Sequence, residues 1–346
     1  MNDNTDVLII GAGPGGLACA KILAESGRQV TVLERKKKIG PKVCAGGITW
    51  SGLINHVPEN LIERSFSRQY IFSNYQQTCV SEKNPIVATI DRKTLGQWMA
   101  GDARKAGATI ETSTQVMDIG KTHVIARREN GEQKKFSYRH LVGADGSTSL
   151  VRRFLNIPTR KMGIGINYQF QGEYEKMEWH LNTRAFGYGY GWIFPHRSTI
   201  SIGAYGAQGN MSARRLKKQL IAWSADRGFN LEKEPPRAAL INFDYQGFAF
   251  DTRWLIGDAA GLASGLTGEG IYPAIVSGEA VAKKILDPAY PANEITMMVK
   301  KQSRHQRIIK LSARNKVISS LLMESFIVML RLKILDFHTL EMAECP

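Results

Sequence analysis

Three glycines, Gly11, Gly13 and Gly16, stand at G-x-G-x-x-G spacing, and an acid, Glu34, closes the next apolar run. Such a set can hold a pyrophosphate and a ribose. Gly11 permits a tight turn, Gly13 lets backbone approach a phosphate, and Gly16 lets a helix pack on a strand. Glu34 accepts hydrogen bonds from ribose hydroxyls. The set works only between the right elements. Val7-Leu8-Ile9-Ile10 is short and rich in β-branched residues, as a buried parallel strand is. Leu17 to Ser26 reads as a helix ended by Gly27, and Gln29 to Leu33 as the second strand. The helix start then aims free N–H groups at the phosphates. A carboxylate at position 34 repels a 2′-phosphate, which disfavours NADP and leaves NAD or FAD.

Three later segments narrow the choice. Asp91-Arg92-x-x-Leu95 precedes a helix expected over Thr94 to Lys105. Leu141-Val142-Gly143-Ala144-Asp145-Gly146, with Ser149 and Arg152, follows a hairpin closed around Glu129-Asn130-Gly131. Trp254 to Gly261 is a strand running into a Gly257-Asp258 turn. Singly these are ordinary turn chemistry. In this order along the chain they resemble the flavoproteins that include p-hydroxybenzoate hydroxylase and the geranylgeranyl reductases. The resemblance implies FAD, extended across a Rossmann-like domain built from non-contiguous segments. It implies that Asp258 holds a ribityl hydroxyl, that Arg92 lies near the flavin and its ribityl-phosphate region, and that the Asp145-Gly146 turn supports the cofactor. Further cofactor contacts are implied at Ala12, Pro14, Gly15, Arg35, Ala45, Gly46, Val116, Gly257, Gly268, Gly270 and Ile271.

A helix expected from Tyr272 to Leu286 follows the glycine-rich stretch Gly265 to Gly270. Its positive end would face the negative charge of a reduced flavin. The hydroxylases usually carry His after Gly-Asp-Ala-Ala, where this chain has Gly261. Gly265 departs from the Pro common in the reductases.

Two segments bear on the reaction. Cys44-Ala45-Gly46-Gly47 matches a Cys-x-Gly-Gly segment that lines the flavin in the reductases, so Cys44 is the candidate catalytic residue, to position substrate or relay a proton. A free cysteine is also a small buried apolar group, and Cys19 and Cys79 are read that way. Tyr190, Trp192 and Phe194 alternate at period two, which puts them on one face of a strand. With Pro195 they match the Tyr-x-Trp-x-Phe-Pro segment that walls the reductases' substrate site. Halogenases carry Trp-x-Trp-x-Ile-Pro instead. An aromatic wall implies an apolar substrate, and the resemblance implies a prenyl chain whose C=C bonds are reduced. The alternatives are a flavin monooxygenase or halogenase, and a non-catalytic FAD-binding protein at a membrane. No second G-x-G-x-x-G is present, so electrons would come from transiently bound NAD(P)H or from a protein such as a reduced ferredoxin.

Composition bounds the rest. A chain of 346 residues with 43% hydrophobic content builds its own core. Cysteines at 19, 44, 79 and 345 have neither C-x-x-C nor zinc spacing, which suits a reducing cytosol. The start MNDNTDVLII lacks the basic flank and length of a signal peptide, and no apolar run reaches membrane-span length. The net charge of +15 asks for an anionic partner, and no nucleic-acid module is visible. From Val317 to Leu335 apolar residues at 317, 318, 321, 322, 328, 329, 332 and 335 form a helical stripe, with Lys316, Ser320, Glu324 and Arg331 opposite. The stripe packs on the core, or rests on anionic lipid, or both.

The expected fold is therefore α/β. Residues 1–50, 85–160 and 250–290 form a Rossmann-like FAD domain, 51–84 and 161–249 an antiparallel-sheet substrate domain, and 291–346 a basic helical tail. The expected location is the cytoplasm, with attachment to the inner face of the membrane left open.

Overall fold

The computed structural model describes residues 2–53 and 55–343. It is α/β, with two large sheets, one small sheet and a helical carboxyl-terminal region. The run Val7 to Ile10 is buried on both sides, which suits a central parallel strand. It lies within Asn2–Ile10, between Gln133–Gly143 and Val30–Leu33, both parallel to it, with Ile9 opposite Val142 and Val32. Arg253–Leu255 extends the parallel array on one side and Thr109–Glu111 on the other. The hairpin around Glu129-Asn130-Gly131 pairs His123–Arg128 with Gln133–Gly143.

The second sheet has seven strands, built mainly from Met162–Gln171, Tyr190–Pro195, Thr199–Ala207 and Arg237–Asn242 in antiparallel register. Arg68–Phe72 and Gln77–Ser81 complete its far edge, through a parallel pairing with Glu178–His180. A small sheet of Gly47–Thr49, Val87–Ile90 and Ile62–Phe66 joins the two larger ones at the Cys44 segment.

Several boundaries differ from expectation for local reasons. The first helix spans Pro14–Glu25, because proline is pre-set for a first helical position. The helix after Asp91 spans Arg92–Lys105: Asp91 caps it by accepting from the Thr94 N–H at 2.7 Å, which places Arg92 inside its first turn. The helix after the glycine-rich stretch spans Ile271–Leu286.

The tail helices are Asn293–Ser312 and Lys316–Arg331. The second is rotated from the expected packing. Ser319, Met323, Ile327 and Leu330 are its buried residues, while Val317, Leu321, Val328 and Leu332 of the sequence stripe are exposed. Glu324, expected on the polar face, sets this rotation by accepting from Ser73 Oγ at 2.7 Å and the Asn74 N–H at 3.1 Å. Among the described residues no helix is long and apolar enough to cross a membrane. Cys19 is buried as expected. Cys79 is exposed, because its strand lies at the sheet edge. Cys345 lies outside the described residues.

Candidate active site

The cradle comes first. Gly11 has φ +105°, and a Cβ there would collide with the Ala144 carbonyl, so only glycine makes this turn. A Cβ at Gly13 would find its nearest neighbour 4.0 Å away, which leaves the loop open for a ligand. The helix that follows has no side-chain cap, and its first-turn N–H groups face that opening. Glu34 sits at the lip. One carboxylate oxygen accepts from the Ala12 N–H and the other from the Lys36 N–H, both at 2.9 Å. Arg35 beside it is exposed, and Val116 lies part-buried against the core on the strand Thr114–Ile119. Arg92 carries a buried Nε with no partner. An open glycine loop, an uncapped helix start and an orphaned guanidinium nitrogen fit a phosphate-bearing dinucleotide.

The second half of the cradle is the Gly257–Ala260 turn. Asp258 accepts from Lys42 Nζ at 2.9 Å and from Ser147 Oγ at 3.0 Å, and its second oxygen faces Gly270. Gly270 opens the Ile271–Leu286 helix without a side-chain cap, and Gly268 before it has φ +69°. Asp145 acts from behind. One of its oxygens accepts from the Leu150 N–H at 2.5 Å, so the carboxylate folds the turn against which Gly11 packs. Burial raises its pKa.

Cys44 is part-buried, and its Sγ accepts from the Gly46 N–H at 3.4 Å. Its carbonyl accepts from Asn167 Nδ2 at 3.1 Å. Asn167 Oδ1 accepts from Ser201 Oγ at 2.9 Å, and Ser201 Oγ accepts from Trp192 Nε1 at 3.0 Å. A continuous buried hydrogen-bond chain therefore runs from the aromatic strand to the Cys44 segment. A second clamp is His196, directly after Pro195. Its Nδ1 faces Glu63 at 2.6 Å and its Nε2 faces the Ala45 carbonyl at 3.0 Å. Both partners are acceptors, so both contacts are satisfied together when both ring nitrogens donate. The ring occupies the space that a Cβ on Gly46 (φ +82°) would need.

The wall forms as the alternation predicts. Tyr190 and Trp192 lie 6.1 Å apart between ring centres, as do Trp192 and Phe194. Trp179 meets Tyr190 edge-on at 5.3 Å. The Tyr190 hydroxyl donates to the Thr267 carbonyl, and Tyr205 donates to the Gly265 carbonyl at 2.9 Å. These two tyrosines bind the sheet to the loop that opens the Ile271–Leu286 helix. Burial raises the pKa of both.

Comparison with known proteins agrees with this geometry. A family described as FAD binding domain matches residues 4–171. The geranylgeranyl diphosphate reductase of Rhodobacter capsulatus is 30% identical over 295 residues, 80% of this chain and 74% of its own. The chain belongs to the geranylgeranyl reductase family of FAD-dependent oxidoreductases. The digeranylgeranylglycerophospholipid reductase of Methanothrix thermoacetophila is 27% identical over 313 residues, 82% of this chain and 78% of its own. A crystal structure of a geranylgeranyl bacteriochlorophyll reductase-like protein from Thermoplasma acidophilum has the same fold, with TM-score 0.75 at 18% identity. It spans 96% of this chain and all of its own.

In this member of the reductase family Arg152, which the sequence pattern already names beside Asp145-Gly146, takes a positioning part, and several further positioning residues carry no motif. Arg152, fully buried, donates to the carbonyls of Ala259, Pro158 and Asp244. Gln302 donates to those of Gly261 and Ala263 at 2.6 and 2.9 Å. Together they fix the Gly-Asp turn. Glu63, His196, Asn167 and Ser201 are equally silent; the one available signal is that His196 adjoins the Tyr-x-Trp-x-Phe-Pro segment. Glu269 also escapes. It is part-buried between Gly268 and Gly270, and one carboxylate oxygen accepts from the Met342 N–H at 2.9 Å. Burial pushes its pKa up to about 7, so it holds a proton close to neutral pH.

Proposed function

We propose that this chain reduces C=C bonds of a geranylgeranyl-type prenyl lipid. The observation that carries this reading is the wall of Tyr190, Trp192 and Phe194, apolar and continuous, joined by buried hydrogen bonds to the Cys44 segment beside the cradle. The names of the Rhodobacter and Methanothrix relatives support the same substrate class. Bound reduced FAD would supply a hydride to one alkene carbon.

The residues do the remainder. An isolated alkene is a poor hydride acceptor, so the neighbouring carbon must be protonated as the hydride arrives. Glu269, protonated near neutral pH, is the proton source we favour, with Cys44 as the group that positions the chain or relays that proton. The faces of Tyr190 and Trp192 stabilise positive charge developing on the alkene by about 1–2 kcal/mol in a dry site. Trp192→Leu should slow flavin reoxidation by substrate and leave flavin binding intact; an unchanged rate would count against the cation–π role. Electrons reach the cofactor from NAD(P)H or a reduced ferredoxin.

The test is spectroscopic. The FAD-loaded protein is reduced anaerobically with dithionite and mixed with a geranylgeranyl lipid. Return of the oxidised flavin band together with a product heavier by two hydrogens per bond supports the reading. A band that returns only with air and an aromatic substrate, with hydroxylated or halogenated product, moves the activity to a monooxygenase or halogenase. A flavin that no physiological donor reduces points to the non-catalytic alternative.

A further inference from the structure

The Lys316–Arg331 helix is apolar on two sides. Its inner side, Met323, Ile327 and Leu330, is buried in one cluster with Phe66 and Met177, against which Trp179, Tyr190 and Phe194 also pack. On this side Phe326 meets Trp179 edge-on at 6.4 Å, and Trp179 in turn meets Tyr190. Its outer side presents Val317, Leu321 and Val328, with Leu332 at the cap, at helical spacing, and Ile334, beyond the helix, is exposed as well. Leu321 is 60% exposed, Val317 67% and Leu332 62%. A helix that is apolar on both sides has a partner for each, and among the described residues none covers the outer one.

Charge selects the partner. Between residues 308 and 334 there are five cations, Lys310, Arg314, Lys316, Arg331 and Lys333, and a single acid, Glu324. That acid, at the edge of the outer row between Leu321 and Val328, is already engaged by Ser73, Asn74 and Gln76. Asp336 follows just beyond, so the outer row is an apolar strip flanked by an excess of positive charge. A second copy of the chain would bring like charges together, whereas an anionic bilayer offers both an apolar layer and a negative surface.

We infer that this chain docks on anionic membranes through the outer side of the Lys316–Arg331 helix, so that the same helix rests on lipid outside and reaches the aromatic wall inside only through Phe326 and Trp179. The docking stands on the exposed row and its charge, and it is read without turnover, so it can fail or hold independently of the proposed reaction.

Co-sedimentation tests it. The full chain is mixed with vesicles of phosphatidylcholine alone or with one-third phosphatidylglycerol. Binding should be at least about tenfold stronger to the anionic vesicles and should weaken at high salt. Leu321→Glu with Val328→Glu should abolish it, and Lys316→Glu with Lys333→Glu should weaken it, while flavin absorbance and melting temperature stay as in the parent. Equal binding to both vesicles, no binding at all, or a charge-free dependence would overturn the proposal. So would a dimer, seen by light scattering, that Leu321→Glu dissolves, because the row would then be a contact between copies. If the double glutamate variant fails to fold, the lysine pair alone decides.

Discussion

The cofactor cradle and the aromatic wall meet at the Cys44 segment, yet they keep their shapes by different means. The cradle is made of backbone. Its turn depends on Gly11 lying against a carbonyl, and its charge selectivity on uncapped helix starts at Gly13 and Gly270. The wall is made of side chains, each held by the next: Trp192 by Ser201, Ser201 by Asn167, and Asn167 by the Cys44 carbonyl. Backbone recognition has few points of failure, and each is severe. A side-chain chain has many, each of moderate cost and each transmitted to its neighbours. The two regions should therefore respond differently to substitution.

The severest break is Gly11→Ala. Positive φ and collision with Ala144 together should cost about 3 kcal/mol or more and abolish flavin binding. A variant that retains a flavin absorption band with an unchanged melting temperature would refute the backbone account.

Next comes Glu269→Gln, which separates proton supply from packing. The folded-state pKa of about 7 lies above the ordinary 4.5. The folded chain thus holds the proton after the unfolded chain has lost it, and stability falls as pH rises from about 4.5 through about 7. The loss stays below about 3 kcal/mol, because Glu269 is only part-buried and solvent screens part of the shift. Glutamine removes this fall. Melting curves at pH 5 and pH 8 should show the variant gaining on the parent at the higher pH; parallel curves would dismiss the buried proton.

Asn167→Ala tests transmission along the wall. It leaves the Ser201 hydroxyl and the Cys44 carbonyl without their partner, at about 1–3 kcal/mol. In a background with Cys79 and Cys345 replaced by serine, alkylation of Cys44 should accelerate several-fold while FAD affinity changes little. Equal loss of both would mean that the two regions are one unit.

The smallest effect is expected at Lys42→Met. Its ion pair with Asp258 is half-exposed at the lysine, so stability should move by less than about 1 kcal/mol. A larger drop in chemical denaturation would show that the cradle too relies on side chains.

The same contrast explains what can be read from the sequence. The cradle is legible because backbone recognition needs glycine at fixed spacing, an acid at a fixed distance and apolar strands between them. The wall's face is legible because a strand alternates. What holds the wall is not. Asn167, Ser201 and Glu63 are ordinary polar residues on separate strands and His196 follows a fourth, and only register brings them together. Ser201 lies opposite Phe194, and Asn167 opposite Gly203, in pairings that no local pattern predicts. The last helix is rotated for a similar reason. Periodicity offers two apolar faces, and the choice between them falls to Glu324 and its three partners near residue 75.

The linkage from Trp192 to Cys44 also has a consequence for divergence. Exchange of Trp192 for a residue without a ring N–H frees Ser201. Loss of Ser201 strands Asn167, and loss of Asn167 leaves the Cys44 carbonyl dry and unpaired. Single changes are penalised while coordinated ones are not, so these positions should drift together among descendants of this chain. A lineage that takes up a differently shaped prenyl substrate would pay for a new wall with changes two strands away.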